Sequence, residues 1–303
     1  MKDANVLKFT ATDGFNLAYR CWNSTKPVKR AVVCIHGIGD YSGWFRNTGP
    51  ELAKDGNQVY ALDLRGFGNS REEGLPRGYV GDFDRHLQDI DDFVVYLRER
   101  HKRKKLHLFG HSLGGVYALW YAANHPETID GLVLAAPAVT SSLGNRKNAL
   151  ILVLANTITP KKTHNPYSSP SDKNRDPEEI KIMLEDPLET PHLTVNYLLN
   201  VKKRLLRDVS SNASFIQAPV LILQGEADTT VLPTGAKQLY SKLNSKDKKL
   251  ELFADAGHWF YDALCPACPR AKYSPAKREQ FIVIVKDWLK KHQGKGKINC
   301  RVQ

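Results

Sequence analysis

Short apolar runs alternate along this chain with stretches of helical period. Two β-rich runs, Asn5 to Thr10 and Phe15 to Trp22, flank the hairpin signal Asp13-Gly14. Strand candidates then recur at Ala31 to Ile35, Gln58 to Leu62, Leu106 to Phe109, Leu132 to Ala136, Val220 to Leu223 and Leu250 to Phe253. Helical stretches fall between them at about Trp44 to Lys54, Asp82 to Arg100, Leu113 to Asn124, Thr234 to Leu243 and Ala276 to His292. The last of these sets Phe281, Val285, Trp288 and Leu289 on one face. Apolar strands alternating with helices predict an α/β fold, with a mostly parallel sheet covered on both sides.

From Val139 to Phe215 the alternation stops, and helical pieces with proline and serine clusters take its place. This segment reads as an inserted, mainly helical cap. The division is then a core from 1–138 and 216–303 with a cap at 139–215. The cap's apolar runs, Leu143 to Ile158 and Val195 to Asn200, have two uses open to them: roofing a cleft for a lipid substrate, or packing the insertion against the body. The last residues, Gly294 to Gln303, read as a frayed end.

Composition adds limits. A chain of 303 residues with 42% hydrophobic and 25% charged positions buries a full core. Neither a secretory signal nor a membrane anchor is visible at MKDANVLKFT, and the apolar stretch Ala149 to Ala155 is far too short to span a bilayer. The five cysteines, Cys21, Cys34, Cys265, Cys268 and Cys300, are odd in number and sparse, which fits a reducing cytoplasm. Cys34 reads as a small core residue, and the Cys265/Cys268 pair as loop cysteines, because no second pair accompanies it to complete a zinc site. Lysine and arginine exceed the acids by 44 to 32, a net charge of +12. Its clusters, Arg98 to Lys105 and Lys202 to Arg207, fall at helix ends or faces, where solvation and helix termination account for them. Weak association with anionic membrane surfaces is the second reading, and no nucleic-acid motif is present. The expected setting is cytoplasmic, peripheral to membranes at most; the sequence assigns no oligomeric state.

Chemistry enters at LHLFGHSLGG, an apolar strand that turns through Gly110, His111, Ser112, Leu113 and Gly114 straight into helix-forming residues. A serine on such a turn has its hydroxyl pushed clear of the backbone, with glycines two residues either side leaving room. Ser112 is therefore the candidate nucleophile. A serine hydroxyl needs a base and, behind it, a carboxylate that fixes the base's tautomer. Asp228 follows the strand in PVLILQGEAD and His258 follows the next in LFADAGHWF, so both emerge at the carboxyl edge of the sheet, as Ser112 does. Glu226 and Asp255 are rival acids; the order Ser, Asp, His, with the acid after the strand-end Gly225, favours Asp228. His86, His101, His125, His164, His192 and His292 fall on helices or in the cap, and His107 inside a strand. Oxyanion donors are expected from the amides of Leu113 and of Ile38, within His36-Gly37-Ile38-Gly39, with His36 a shaping residue.

With HGIGDYSGWF, DLRGFGNS, GHSLGG, LILQGEAD and AGHWFYD in this order at strand ends, the chain resembles the α/β-hydrolase superfamily, in its monoglyceride lipase and lysophospholipase branch. The resemblance implies an eight-stranded sheet, Ser112 as nucleophile, Asp228 as acid, His258 as base, Ile38 and Leu113 as the oxyanion hole, and no metal or organic cofactor. It implies a structural role for Asp63 through Ser70. The chain departs from the pattern with Gly39-Asp40-Tyr41 where the lipases typically have Gly-Glu-His, with a cap free of cysteine, and with a longer loop from Leu264 to Pro275. No glycerol contact is carried over.

The resulting expectation is a serine hydrolase that cleaves lipid-like carboxylic esters of medium or long acyl chains, monoacylglycerols or lysophospholipids, through an acyl-enzyme. A serine aminopeptidase or amidase of the same fold would draw on the cap acids Asp172, Asp176, Glu178, Glu179, Glu185, Asp186 and Glu189 to hold an amine. A receptor or lipid carrier with a hydrolase-like pocket is the reading from a different class.

Overall fold

The computed structural model describes residues 4–139, 157–164, 181, 184–258 and 275–292. The Leu143 to Ala155 part of the cap's apolar run, the acids at 172, 176, 178 and 179, Cys265, Cys268 and Cys300, and the chain from Gly294 onward lie outside those residues.

The predicted strands all form: β1 (Val6–Thr10), β2 (Asn16–Trp22), β3 (Arg30–Ile35), β4 (Asn57–Leu62), β5 (Lys105–His111) and β6 (Gly131–Ala135). In the region read as a cap, two-residue strands β7 (Thr163–His164) and β8 (Leu193–Thr194) pair antiparallel, a pairing too short to leave an alternating pattern. The last strands are β9 (Val220–Gly225) and β10 (Lys248–Phe253). Eight strands make one sheet in the order β1-β2-β4-β3-β5-β6-β9-β10. β1, β2 and β4 pair antiparallel, as the Asp13-Gly14 turn requires, and every later pair is parallel.

Helices α1 (Thr48–Ala53), α2 (Phe83–Arg100) and α3 (Leu113–Asn124) belong to the first half of the chain. Helix α4 (Val195–Asn200) runs through a π-helical turn at Val201–Leu206 into α5 (Arg207–Asn212); α6 (Pro233–Lys242) and α7 (Pro275–Lys291) follow. One face of the sheet carries a core built from Val33, Leu108 and Leu134 with Phe93 of α2, Tyr117 of α3 and Leu239 of α6. The opposite face packs Val32, Cys34 and Phe109 against Leu52 of α1 and Phe281, Val285 and Leu289 of α7. Strands β3, β4, β6 and β9 are buried along their whole length, which is why Ala31 to Ile35, Val59 to Leu62, Leu132 to Ala135 and Val220 to Leu223 read as unbroken apolar runs.

One detail departs from expectation, and one choice left open is made. The single helix predicted over Trp44 to Lys54 is instead a 3-10 turn at Ser42–Phe45 followed by α1. Pro50 is the reason: inside a continuous helix its ring would clash with the carbonyl of Arg46, so the helix restarts with Pro50 in its first turn. The VNYLLN segment, now α4, packs against the body: the Tyr197 ring meets Phe67 at 5.0 Å, and its hydroxyl lies 3.1 Å from that of Tyr117.

Two fully buried histidines make the fold acid-sensitive. His86 and His107 are held neutral by burial, their pKa pushed down to about 3. Unfolded, each takes up a proton below about pH 6.5. The unfolded state then binds more protons than the folded state, so stability falls as pH drops from about 6.5 towards 3, by about 1.4 kcal/mol per pH unit for each histidine. Urea midpoints are expected to decline already between about pH 6.5 and 5, above the carboxylate range. A flat profile there, or one unchanged in His107→Leu, contradicts this account.

Candidate active site

Ser112 sits between the end of β5 and the start of α3 with φ 52° and ψ −119°, a conformation that L residues adopt only under constraint. The constraint is visible. Its N–H donates to Ala135 O at 2.9 Å, and its carbonyl accepts from Gly115 N and Ala138 N at 3.0 Å each. A Cβ at Gly114 would stand 2.0 Å from Ile35 O, and one at Gly110 would stand 2.3 Å from Gly114 O. Both glycines are therefore demanded by how closely α3 is driven against β3 and β5.

Asp228 and His258 come together as read: His258 Nδ1 lies 2.7 Å from Asp228 Oδ2. The loops that bear them are tied to each other by Glu226 N to Phe253 O and Ala227 N to Ala256 O, both 2.9 Å. Gly225 permits this approach, since a Cβ there would lie 2.3 Å from Ala256 O. The rival acids Glu226 and Asp255 are exposed, whereas Asp228 and His258 are buried. Asp228 is fully engaged. Its Oδ1 accepts from Thr230 N at 2.9 Å and Val231 N at 2.8 Å, and its Oδ2 also accepts from Gln224 Nε2 at 3.0 Å. With Nδ1 donating to this carboxylate, Nε2 is the basic nitrogen of the imidazole. The His258 ring packs on that of His111, the neighbour of Ser112, at 4.9 Å between centroids.

The turn carrying Ile38 lies beside this group. A Cβ on Gly37 would stand 3.3 Å from Ser112 Cβ, so the His36-Gly37-Ile38 backbone runs directly along the serine. Leu113 opens α3, and its amide belongs to the first helical turn, where N–H groups have no intrahelical acceptor. His36 is neutral: burial lowers its pKa, Nδ1 donates to Gly37 O at 2.8 Å and Nε2 accepts from Leu64 N at 3.1 Å. In the loop after β4, Asp63 accepts from Ser42 N at 2.6 Å and Asn69 N at 2.8 Å, and Ser70 Oγ accepts from Ala18 N at 2.7 Å. Those bonds join β2, β4 and the turn after the Ile38 loop.

Sequence reasoning missed His111, Gln224, Trp44 and Glu189 as neighbours of this group. Gln224, polar in an apolar strand just before the acid, carried a local signal; the others did not. Among the described residues no cluster of three or more His, Cys, Asp or Glu side chains is arranged to hold a metal, and no helix is long and apolar enough to cross a membrane.

The family model described as serine aminopeptidase, S33 matches residues 26–261. The chain is 30% identical over 258 residues to human monoglyceride lipase, covering 83% of this chain and 82% of that protein. Among solved structures, the monoacylglycerol lipase of Paleococcus ferrophilus superposes with a TM-score of 0.76 at 28% identity, covering 91% of this chain and 99% of that one. A soluble variant of the Saccharomyces cerevisiae monoglyceride lipase, in complex with a substrate analog, also gives 0.76, at 21% identity and 96% coverage of both chains.

Proposed function

This chain belongs to the serine aminopeptidase S33 family of α/β-hydrolases and is monoglyceride lipase-like, and on that premise we propose how it works and on what. It is a serine hydrolase of lipid esters. Its substrates are monoacylglycerols or lysophospholipids with medium or long acyl chains, cleaved through an acyl-enzyme on Ser112. The observation that carries this reading is the buried Asp228–His258 pair emerging at the same sheet edge as the strained serine turn.

In this mechanism His258 Nε2 takes the Ser112 proton as Oγ attacks the ester carbonyl. The oxyanion is received by the amides of Ile38 and Leu113. His258 then gives the proton to the leaving alcohol, and water repeats the cycle on the acyl-enzyme. Asp228 holds the imidazole in the useful tautomer and stabilises its charged form. The segment 139–215 acts as the cap that binds the acyl chain.

The family description also names aminopeptidases, which need free carboxylates to hold a substrate amine. Of the cap acids within the described residues, Glu185 is exposed with Lys181 4.0 Å away, while Asp186 accepts from Tyr41 Oη at 2.8 Å and Glu189 from Trp44 Nε1. These two carboxylates serve the protein's own side chains, which favours the ester reading. A carrier that only binds needs no such imidazole and carboxylate pair.

Several of the basic side chains are internally paired: Arg98 and Lys105 meet Asp130 at 2.7 and 2.8 Å, and Arg204 meets Asp84. The net charge of +12 nonetheless supports a weak, salt-screened attraction to anionic membrane surfaces in a cytoplasmic setting. Hydrolysis of monoacylglycerols, lysophospholipids, simple esters and aminoacyl amides, graded by chain length, tests the reading. Monoacylglycerols or lysophospholipids are expected to exceed the matched amides by a factor of about 10² or more in kcat/KM. Preferred cleavage of the amides reverses the assignment.

A further inference from the structure

The loop that carries the Ile38 amide is tied to a segment about 145 positions further along the chain. Thr190 N donates to Gly39 O at 2.8 Å, Tyr41 Oη donates to Asp186 Oδ2 at 2.8 Å, and Trp44 Nε1 donates to Glu189 Oε1. The distant segment is itself anchored, because Arg77 Nη1 donates to Glu189 O at 2.7 Å and Thr194 Oγ1 to Gly78 O at 2.6 Å. Glu189 is 5% exposed and Thr190 1%, so on their side the bonds end in buried groups, and breaking one leaves such a group unsatisfied.

On the loop's inner side, Asp40 is fully buried, and its Oδ2 lies 2.5 Å from the place a Cβ on Gly37 would take. The Gly37–Ile38 peptide is turned by His36 Nδ1 on Gly37 O, but Gly39, at φ +80°, leaves the chain after it free to swing and carry that peptide with it. An oxyanion donor is useful only within a few tenths of an ångström of its target position. What the contacts from outside the loop set is the position of Gly39 and of the chain that follows it.

We propose that Glu189 is a positioning residue for ester hydrolysis: through Trp44, and through its chain neighbour Thr190 on Gly39, it holds the loop whose Ile38 amide receives the oxyanion. The proposal rests on the functional reading above. Charge makes the hold sensitive to pH. Burial and the neighbouring negative charge of Asp40 raise the Glu189 carboxyl well above the ordinary carboxylate range. The charged or titratable groups around it are Asp40, Tyr41 and Arg46 from the Ile38 side, Arg77 on its carbonyl, and Asp186 on its own segment. While Glu189 is neutral no second negative charge stands beside Asp40. As pH climbs through its raised pKa it ionises against Asp40 and Asp186, and the loop is pushed out of place.

Steady-state kinetics of the full chain on a monoacylglycerol, with Glu189→Ala, Glu189→Gln and Trp44→Phe, followed from neutral to alkaline pH, test this. Glu189→Ala is expected to lower kcat about 10- to 100-fold with KM changed by no more than about twofold, as for a donor displaced only in the transition state. Glu189→Gln, which still accepts from Trp44, is expected to keep kcat within about threefold at neutral pH and to lose the alkaline fall shown by the unsubstituted enzyme. Trp44→Phe should resemble Glu189→Ala. Unchanged kcat in Glu189→Ala overturns the role, and so does unchanged kcat in Trp44→Phe. Should Glu189→Ala fail to fold, the comparison of Trp44→Phe with Glu189→Gln at neutral pH decides alone. A parent chain that cleaves no ester overturns the functional reading and this role with it, whereas an active parent indifferent to Glu189 overturns the role only.

Discussion

Replacing Ser112 with Ala is expected to cut kcat/KM on lipid esters by about 10⁴-fold or more and to abolish labelling by a fluorophosphonate, with the thermal transition unchanged. No other hydroxyl is expected to substitute. The side chain of Ser112 is buried on a turn that packs tightly through backbone atoms, so losing one oxygen removes the nucleophile without opening the fold. Ser112→Gly separates function from strain. At φ 52° and ψ −119° a glycine is relaxed where any L side chain is not, so this variant is expected to be inactive yet more stable by about 1–3 kcal/mol in urea unfolding. Retained hydrolysis in either variant would remove Ser112 from the mechanism; a less stable Ser112→Gly would mean that the turn stores no strain.

The second large effect is expected from Asp228→Asn, a loss of about 10⁴-fold in kcat with the fold intact. The local donors dictate the orientation of the new amide. Thr230 N and Val231 N both point at the Oδ1 position, so the Asn oxygen must sit there and its NH₂ must take the Oδ2 position facing His258 Nδ1. A donor facing Nδ1 selects the tautomer protonated at Nε2, which cannot accept the serine proton. Glu226→Gln and Asp255→Asn, both at exposed positions, are the controls and should leave kcat within about threefold. Activity lost in a control and kept in Asp228→Asn would transfer the role to that acid.

Much of this was legible beforehand, for definite physical reasons. Buried parallel strands have almost no solvent face, so β3, β5, β6 and β9 appear as apolar runs wherever they lie; the carboxyl ends of β5 and β9, with that of the more exposed β10, locate Ser112, Asp228 and His258 on one edge. A strand, a sharp turn and a helix within ten residues leave a local signature at Gly110 to Gly114. The break before α1 was overlooked, although Pro50 announced it, because the apolar period continues across it.

The amino-acid sequence by itself determined the layered α/β architecture, the serine turn and the edge on which the chemistry gathers, because each depends on periodicity or on turn residues a few positions apart. Chain order favoured Asp228 among three strand-end acids, but only tertiary structure brought it to His258, packed α4 on the body, and set Trp44 and Glu189 beside the Ile38 loop. Those outcomes depend on distances between segments separated by 30 to 145 positions. Such distances follow from the packing of whole elements, which leaves no mark in the residues on either side of any one of them.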